Sequence, residues 1–266
     1  MVWINNQRPR MVMLRLSFIF MVFLSGIASA HEIQFSNQYI QINKQNTQGF
    51  QSTFIGRAEV NQKWSVGILA NYLERFSLYE NRLGMLANYK PNDLFTIEAR
   101  FIKAEGGTKI LPQDQYRISV YHSLSEGVTP FLSYQDSTYS ITHLQTLNFG
   151  IELEKIQNFI FIPQFMMGRA KFKDPIHNRE VNGIGLKIIY SVENNYAFFL
   201  FANKGIEASQ SVTGEAAKTL NTKTSGLGVN YYFNQTIKVE GLFDYTDYEE
   251  LSNQFLTSTI NLTWMF

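Results

Sequence analysis

The chain has 266 residues, 23 lysines and arginines against 22 aspartates and glutamates, and no cysteine. A formal net charge of +1 without a basic run lacks the electrostatic footprint of a nucleic-acid binder, and with no cysteine there is no disulfide framework. The most apolar stretch after residue 31, Val192 to Ala202, is interrupted by Glu193, Asn194 and Asn195. It falls short of the about 20 residues that a membrane-spanning helix needs.

Met1 to Ala30 reads as a secretory signal peptide. Arg8, Arg10 and Arg15 form a basic n-region without an acid, Leu16 to Leu24 is a short apolar core, and Gly26 with Ala28-Ser29-Ala30 supplies a small-residue cleavage pattern. Met11 or Met13 would serve equally as the start. The expected mature chain begins at His31, and losing three arginines and no acid moves its charge from +1 to −2. Residues 31–266 show no linker or composition shift and read as one β domain.

Along that domain, apolar residues recur with a period of two, the mark of strands with one apolar and one polar face. After a weak first strand around Gln34 to Asn43, Phe50, Ser52, Phe54, Ala58 and Val60 face one way and Gln51, Thr53, Arg57 and Glu59 the other. A tight break at Asn61-Gln62-Lys63 leads to Trp64, Val66, Ile68, Ala70 and Tyr72. A polar break with Glu74 and Arg75 separates these from Leu83, Met85, Ala87 and Tyr89. Lys90-Pro91-Asn92-Asp93 is the next tight turn, with the proline suited to a type I turn.

Phe95, Ile97, Ala99 and Phe101 alternate with Thr96, Glu98 and Arg100, and Glu105 to Gln113 is a long loop. Tyr116, Ile118 and Val120 follow, then a short break at Ser125-Glu126-Gly127. Val128 to Gln135 has no fixed phase because Pro130 and Phe131 compete. Asp136 to His143 is read as a long polar loop, Leu147 to Leu153 as a strand, and Phe159 to Ala170 as its partner after a short break. Lys171 to Arg179 is a long loop. Ile184 to Tyr190 and Tyr196 to Asn203 flank a short turn, the latter apolar on both faces. Lys204 to Thr222 is the longest expected loop. Leu227 to Phe233, a two-residue turn at Asn234-Gln235, Ile237 to Tyr245 and a final strand complete the chain.

The count is about 14 strands, or 12 if two weak ones merge. Strands of this size with alternating short and long connections, short ones periplasmic, are the signature of a transmembrane antiparallel up-and-down β-barrel. The aromatics agree. Trp64, Tyr89, Phe95, Phe159, Tyr190, Tyr196, Phe233 and Trp264 lie near short turns or the C-terminus, and Tyr72, Phe101, Tyr116 and Tyr245 near long loops. Two interfacial girdles produce that distribution.

The last stretch alternates Ser258, Ile260, Leu262, Trp264 and Phe266 with Thr259, Asn261, Thr263 and Met265, and ends on an aromatic. It resembles the closing strand of bacterial outer-membrane barrels, which the assembly machinery reads, so Ile260, Leu262, Trp264 and Phe266 are the expected insertion signal. At Leu262-Thr263-Trp264-Met265-Phe266, around Asn234-Gln235 and at Asn203-Lys204-Gly205, the chain is similar to the YaiO family of outer-membrane barrels. The resemblance implies a Gram-negative outer-membrane barrel of unassigned function, in contact with outer-membrane lipids and the barrel-assembly machinery. It supplies no catalytic residue.

Function would sit on the inward face. The expected lumen-lining charges are Arg57, Glu59, Arg82, Glu98, Arg100, Arg117, Glu152, Glu154, Lys187, Lys238, Glu240 and Asp244. They either pair with one another and fill the lumen, or set Arg82, Arg100 and Arg117 as a basic ladder opposite the acids, an arrangement that selects ions in narrow pores. No catalytic constellation is visible. His122 and Ser123 are adjacent and so point to opposite faces of a strand, His143 and His177 fall in expected loops without a fixed partner, and His31 opens the mature chain. No metal-ligand spacing or cofactor motif appears. Three readings follow in order: a passive or weakly selective, porin-like channel for small polar solutes; a structural or assembly barrel with a plugged lumen, linked to surface polysaccharide; and, distantly, a lipid-modifying enzyme.

Overall fold

In a computed structural model describing residues 30–42, 47–75, 78–105, 111–140, 142–156, 158–173, 178–192, 195–209, 218–248 and 253–266, the period of two becomes fourteen antiparallel strands. They are β1 (Ala30–Ile42), β2 (Thr47–Asn61), β3 (Trp64–Arg75), β4 (Leu78–Asn92), β5 (Phe95–Glu105), β6 (Asp114–His122) and β7 (Val128–Thr138). Then come β8 (Thr142–Ile156), β9 (Phe159–Phe172), β10 (Arg179–Val192), β11 (Tyr196–Ser209), β12 (Lys218–Tyr232), β13 (Ile237–Tyr248) and β14 (Asn253–Met265). Each strand pairs with the next, and β1 pairs with β14 from Glu32↔Met265 to Ile42↔Phe255, so the sheet closes. Closure leaves no edge of unpaired backbone groups, the condition for a sheet in lipid. The expected signal peptide lies outside the described residues, apart from Ala30 at the start of β1.

Side chains sort cleanly into two phases. The outer phase carries the exposed large hydrophobics, among them Leu83, Met85, Ile118, Ile184, Leu200, Leu227 and Ile260, with Met85 69% and Ile260 64% exposed. In water each such side chain would forgo about 2 kcal/mol of burial. A continuous belt of them is therefore a lipid-facing surface, far beyond the patches that soluble monomers tolerate. Aromatic pairs border the belt at the short-turn end. Trp64 stacks on Tyr89 at 4.3 Å, Tyr196 lies 4.7 Å from Tyr231 and Trp264 stacks on Phe266 at 5.1 Å. At the other end Phe101 stacks on Tyr116 at 4.8 Å.

Three short turns share one device. The Oδ1 atoms of Asn61, Asn92 and Asn234 each accept the backbone N–H groups two and three residues on. This is the Asx geometry that makes asparagine a turn former. It also relocates one expected turn. Asn92, not Lys90, opens the β4–β5 hairpin, and Pro91 sits at the end of β4 beside a register irregularity between Tyr89 and Asn92.

Several strands run past the belt. β11 and β12 stay paired out to Ser209↔Lys218, so most of the loop expected over Lys204 to Thr222 is sheet, and only 210–217 separate the two strands. Likewise β7 reaches Thr138 and β8 begins at Thr142, so the loop expected over Asp136 to His143 is largely strand. Outside lipid neither face must be apolar, and polar residues can extend a hairpin without showing alternation in sequence. The unresolved phase of Val128 to Gln135 is settled by register. Phe131 faces Tyr121 and Gly150 on the inner side, and Pro130 faces lipid.

Candidate functional site

All twelve charged residues expected in the lumen lie on the phase opposite the exposed hydrophobics. Register brings three of them together. A single row across the sheet reads Arg57, Gly67, Leu86, Arg100, Arg117 and Gln135, on β2 to β7. Arg57 lies over Gly67, where an added Cβ would stand 3.0 Å from its Cγ. That gap, with Asn88, Ser65 and Tyr121, forms a recess of about 250 Å³ in the lumen wall.

The recess is held by few contacts. Arg57 Nη1 donates to Glu32 Oε2 at 3.2 Å. Arg117 Nε donates to Ser133 Oγ at 3.0 Å, and Ser119 Oγ donates to Ser133 Oγ at 2.9 Å, with both serines buried beneath the arginine. Arg100 has Arg117 and Arg57 as like-charged neighbours and Glu98 as the opposing one. Three guanidinium groups, which stay charged in proteins, thus share this wall with Glu98 and Glu32.

Arg82, expected in the ladder, lies outside this row. It sits four residues before Leu86 on β4, toward the long loops, buried, beside Glu80, with Nε 3.4 Å from Asn71 Oδ1 and Arg100 as a like-charged neighbour. Arg57 takes the third place, which no reading of separate strands could show, because it depends on registers accumulated across β2 to β5. The remaining charges are distributed around the wall. Glu152 and Glu154 neighbour each other on β8 with Lys187 nearby. Lys187 Nζ lies 4.8 Å over the Phe199 ring. Glu240 Oε2 is 3.4 Å from Lys238 Nζ, and its Oε1 accepts from Asn261 Nδ2 at 2.7 Å. Asp244 bonds Thr257. Glu59 is exposed near the short-turn end, 3.5 Å from His31 Nε2.

Water access falls along the strands. On β5, Glu98 is exposed, Arg100 half-buried and Ile102 buried; on β8, Glu154 is exposed and Thr146, Leu144 and Thr142 are buried. Leu73 and Val181, inward at the long-loop end, are each 0% exposed. Just before β6 the chain is tied to this end: Leu111 N–H donates to Glu80 Oε2 at 3.2 Å, and Glu80 is 5% exposed. The lumen is therefore wet and charged toward the short turns and filled with side chains toward the long loops on these strands.

One histidine has a partner the sequence hid. His143 lies on β8, and its Nε2 is 2.6 Å from Asp136 Oδ1 on β7. Gln145 donates to Asp136 and to Tyr134 Oη, so the cluster is a polar collar on the outer phase above the belt. His122 stacks on Phe95 at 4.2 Å on the lipid side, and His177 lies outside the described residues. Among the described residues no group of three or more His, Asp or Glu could hold a metal ion. Ile260, Leu262, Trp264 and Phe266 all point outward from β14 or its end, and Phe266 N–H donates to His31 O at 3.0 Å.

No protein-family model matches the chain, and no curated protein matches it. Solved structures match its fold. The CymD monoaromatic hydrocarbon channel has a TM-score of 0.61 at 12% identity, covering 91% of this chain and 90% of its own. A bacterial polysaccharide outer membrane secretin scores 0.57 at 12% identity, covering 88% and 98%. A loop-deleted OmpT, an outer membrane protein of Vibrio cholerae, scores 0.53 at 10% identity, covering 88% and 98%. The chain has the fold of bacterial outer-membrane barrels.

Proposed function

We propose that the protein is an outer-membrane channel that passes small polar solutes and leans toward anions. The observation that carries this reading is the row of Arg57, Arg100 and Arg117 on one wall, with the wet part of the lumen beside it. Fixed positive charge in a narrow, water-filled passage lowers the barrier for anions and raises it for cations. The lipid-facing belt, its aromatic borders and the secretory start of the sequence support an outer-membrane address, with the short turns in the periplasm. The YaiO-like closing strand agrees, and implies handling by the assembly machinery.

A second reading, a structural barrel with a plugged lumen, is favoured by one specific feature: Leu73, Val181, Glu80 and Arg82 are buried at the long-loop end. A link to surface polysaccharide belongs to this reading. Planar bilayers separate the two. Purified, heat-modifiable barrel should give discrete ion-conducting steps with a reversal potential displaced toward anions in a salt gradient. Silence in the bilayer from correctly folded protein would reject the channel and leave the plugged barrel. Recovery of the protein from the soluble periplasm would reject both.

A further inference from the structure

The arginine recess has two unlike rims. The rim toward the long loops is the register row of Arg57, Arg100 and Arg117. The next row toward the short turns sets Ser65, Asn88 and Glu98 side by side, and Tyr121 lies beyond it. Guanidinium donors therefore line one rim, and a hydroxyl, an amide and a carboxylate line the other. The two rims are two residues, or about 7 Å, apart along each strand.

The protein by itself leaves both rims incompletely met. Among the described residues Arg100 makes no hydrogen bond or ion pair, and Arg117 bonds only the two serine hydroxyls, through Nε. Arg57 gives Nη1 to Glu32. Two planar guanidinium forks, shaped to grip a carboxylate, thus border the recess with their Nη donors unused. On the other rim Glu98 is exposed and makes neither a hydrogen bond nor an ion pair among the described residues. Asn88 Oδ1 is buried without a hydrogen-bond partner. Such orphaned acceptors are few in native proteins and call for an explanation. A half-turn of the amide exchanges this oxygen with Nδ2, so Asn88 can offer either group to the recess.

We propose that the recess binds a small hydroxylated monocarboxylate, its carboxylate between Arg100 and Arg117 and its hydroxyls on Glu98 and Asn88. The two rims call for both functions in one molecule. An anion without hydroxyls leaves Glu98 and Asn88 unmet, and a neutral polyol leaves the arginines unmet. Glu98 and its neighbour Glu152 repel a second negative charge on the short-turn side, which selects a monoanion over phosphate or a dicarboxylate. Volume limits the length. A cavity of about 150 Å³ takes a benzene-sized molecule, so the recess of about 250 Å³ suits a solute of roughly ten heavy atoms. The inference names the solute class of the proposed channel and rests on the wet, short-turn half of its lumen.

The test uses full barrel folded in zwitterionic micelles, with heat-modifiability confirming the fold of every sample, and titration calorimetry with three four-carbon probes: L-threonate, threitol and butyrate. Threonate should bind one per barrel, at least tenfold tighter than threitol or butyrate, a comparison that needs only wild-type protein. Arg100→Gln should weaken threonate binding at least tenfold. Glu98→Ala should remove most of the preference for threonate over butyrate. Lys103→Gln, on the outer phase of β5, should change neither. Equal binding of threitol or butyrate, displacement of threonate by equimolar inorganic phosphate, or wild-type discrimination in folded Arg100→Gln or Glu98→Ala would each overturn the proposal. Planar bilayers keep the two readings apart. A barrel that conducts but binds no threonate rejects the site and leaves the channel, whereas one that binds threonate but never conducts rejects the channel and leaves the site.

Discussion

Arg100 and Arg117 stand directly opposite each other across the β5–β6 ladder, on the face that lines the lumen. Like charges in that position repel, and a fold keeps them only where other groups compensate. Glu98 neighbours Arg100, and Ser133 and Ser119 accept from the Nε of Arg117. With Arg57 in the same row, this wall remains more basic than its own carboxylates can balance.

Replacing both arginines, Arg100→Ser with Arg117→Ser, should therefore move ion selectivity toward cations. Each charge at a distance of about 8 Å in water contributes roughly 0.5 kcal/mol to the barrier, so removing both should raise cation permeability about fivefold. Reversal potentials in a salt gradient measure this. An unchanged potential in a conducting barrel would show that the arginines do not face the ion path.

Glu80 separates gating from stability. Its carboxylate accepts from the Leu111 backbone N–H and lies beside buried Arg82. Glu80→Ala removes both roles, so conductance should rise as the tie at Leu111 is released. Glu80→Gln keeps an oxygen for Leu111 but not the charge, and should leave conductance near wild type. Both should unfold more readily, by roughly 1–3 kcal/mol for buried polar groups that lose their partner. Conductance and thermal conversion on gels read the two effects apart.

The inner aromatics of β11 are accommodated by missing side chains. A Cβ at Gly226 would stand 2.5 Å from the Phe201 ring and 2.8 Å from Phe243 O. Gly226→Ala should cost about 1–3 kcal/mol from overpacking. Adding Phe201→Ala should recover part of it, since the ring is one of the two obstacles. Chemical denaturation of refolded protein gives both numbers, and no recovery would place the whole strain on the backbone.

Deleting Phe266 removes its stack on Trp264 and the backbone bond to His31 O that joins the last residue to β1. The yield of heat-modifiable barrel in cells should drop several-fold. Normal yield would show that the closing strand is recognised without its terminal aromatic.

Tags within 210–217 should be reached from outside intact cells, and tags at Asn234-Gln235 should not. The opposite pattern would invert the barrel in the membrane.

The alternation of Leu83, Met85, Ala87 and Tyr89 with Arg82, Leu86 and Asn88, repeated along the chain, determined the strand class, the lipid-facing phase and the inward charges. Period-two patterning is local, because in lipid each strand must show its own apolar face. Beyond the belt that requirement lapses. Lys204 to Thr222 and Asp136 to His143 therefore looked like loops, and only pairing such as Ser209↔Lys218 extended the strands and gave His143 its Asp136. Tertiary structure alone decided which charges meet. Arg57, Arg100 and Arg117 form one row, and Arg82 lies outside it, because closing a tilted sheet sums the registers of many hairpins. The same summation set Lys204 beside Lys223 and laid the Phe201 ring over Gly226. No single strand carries that sum.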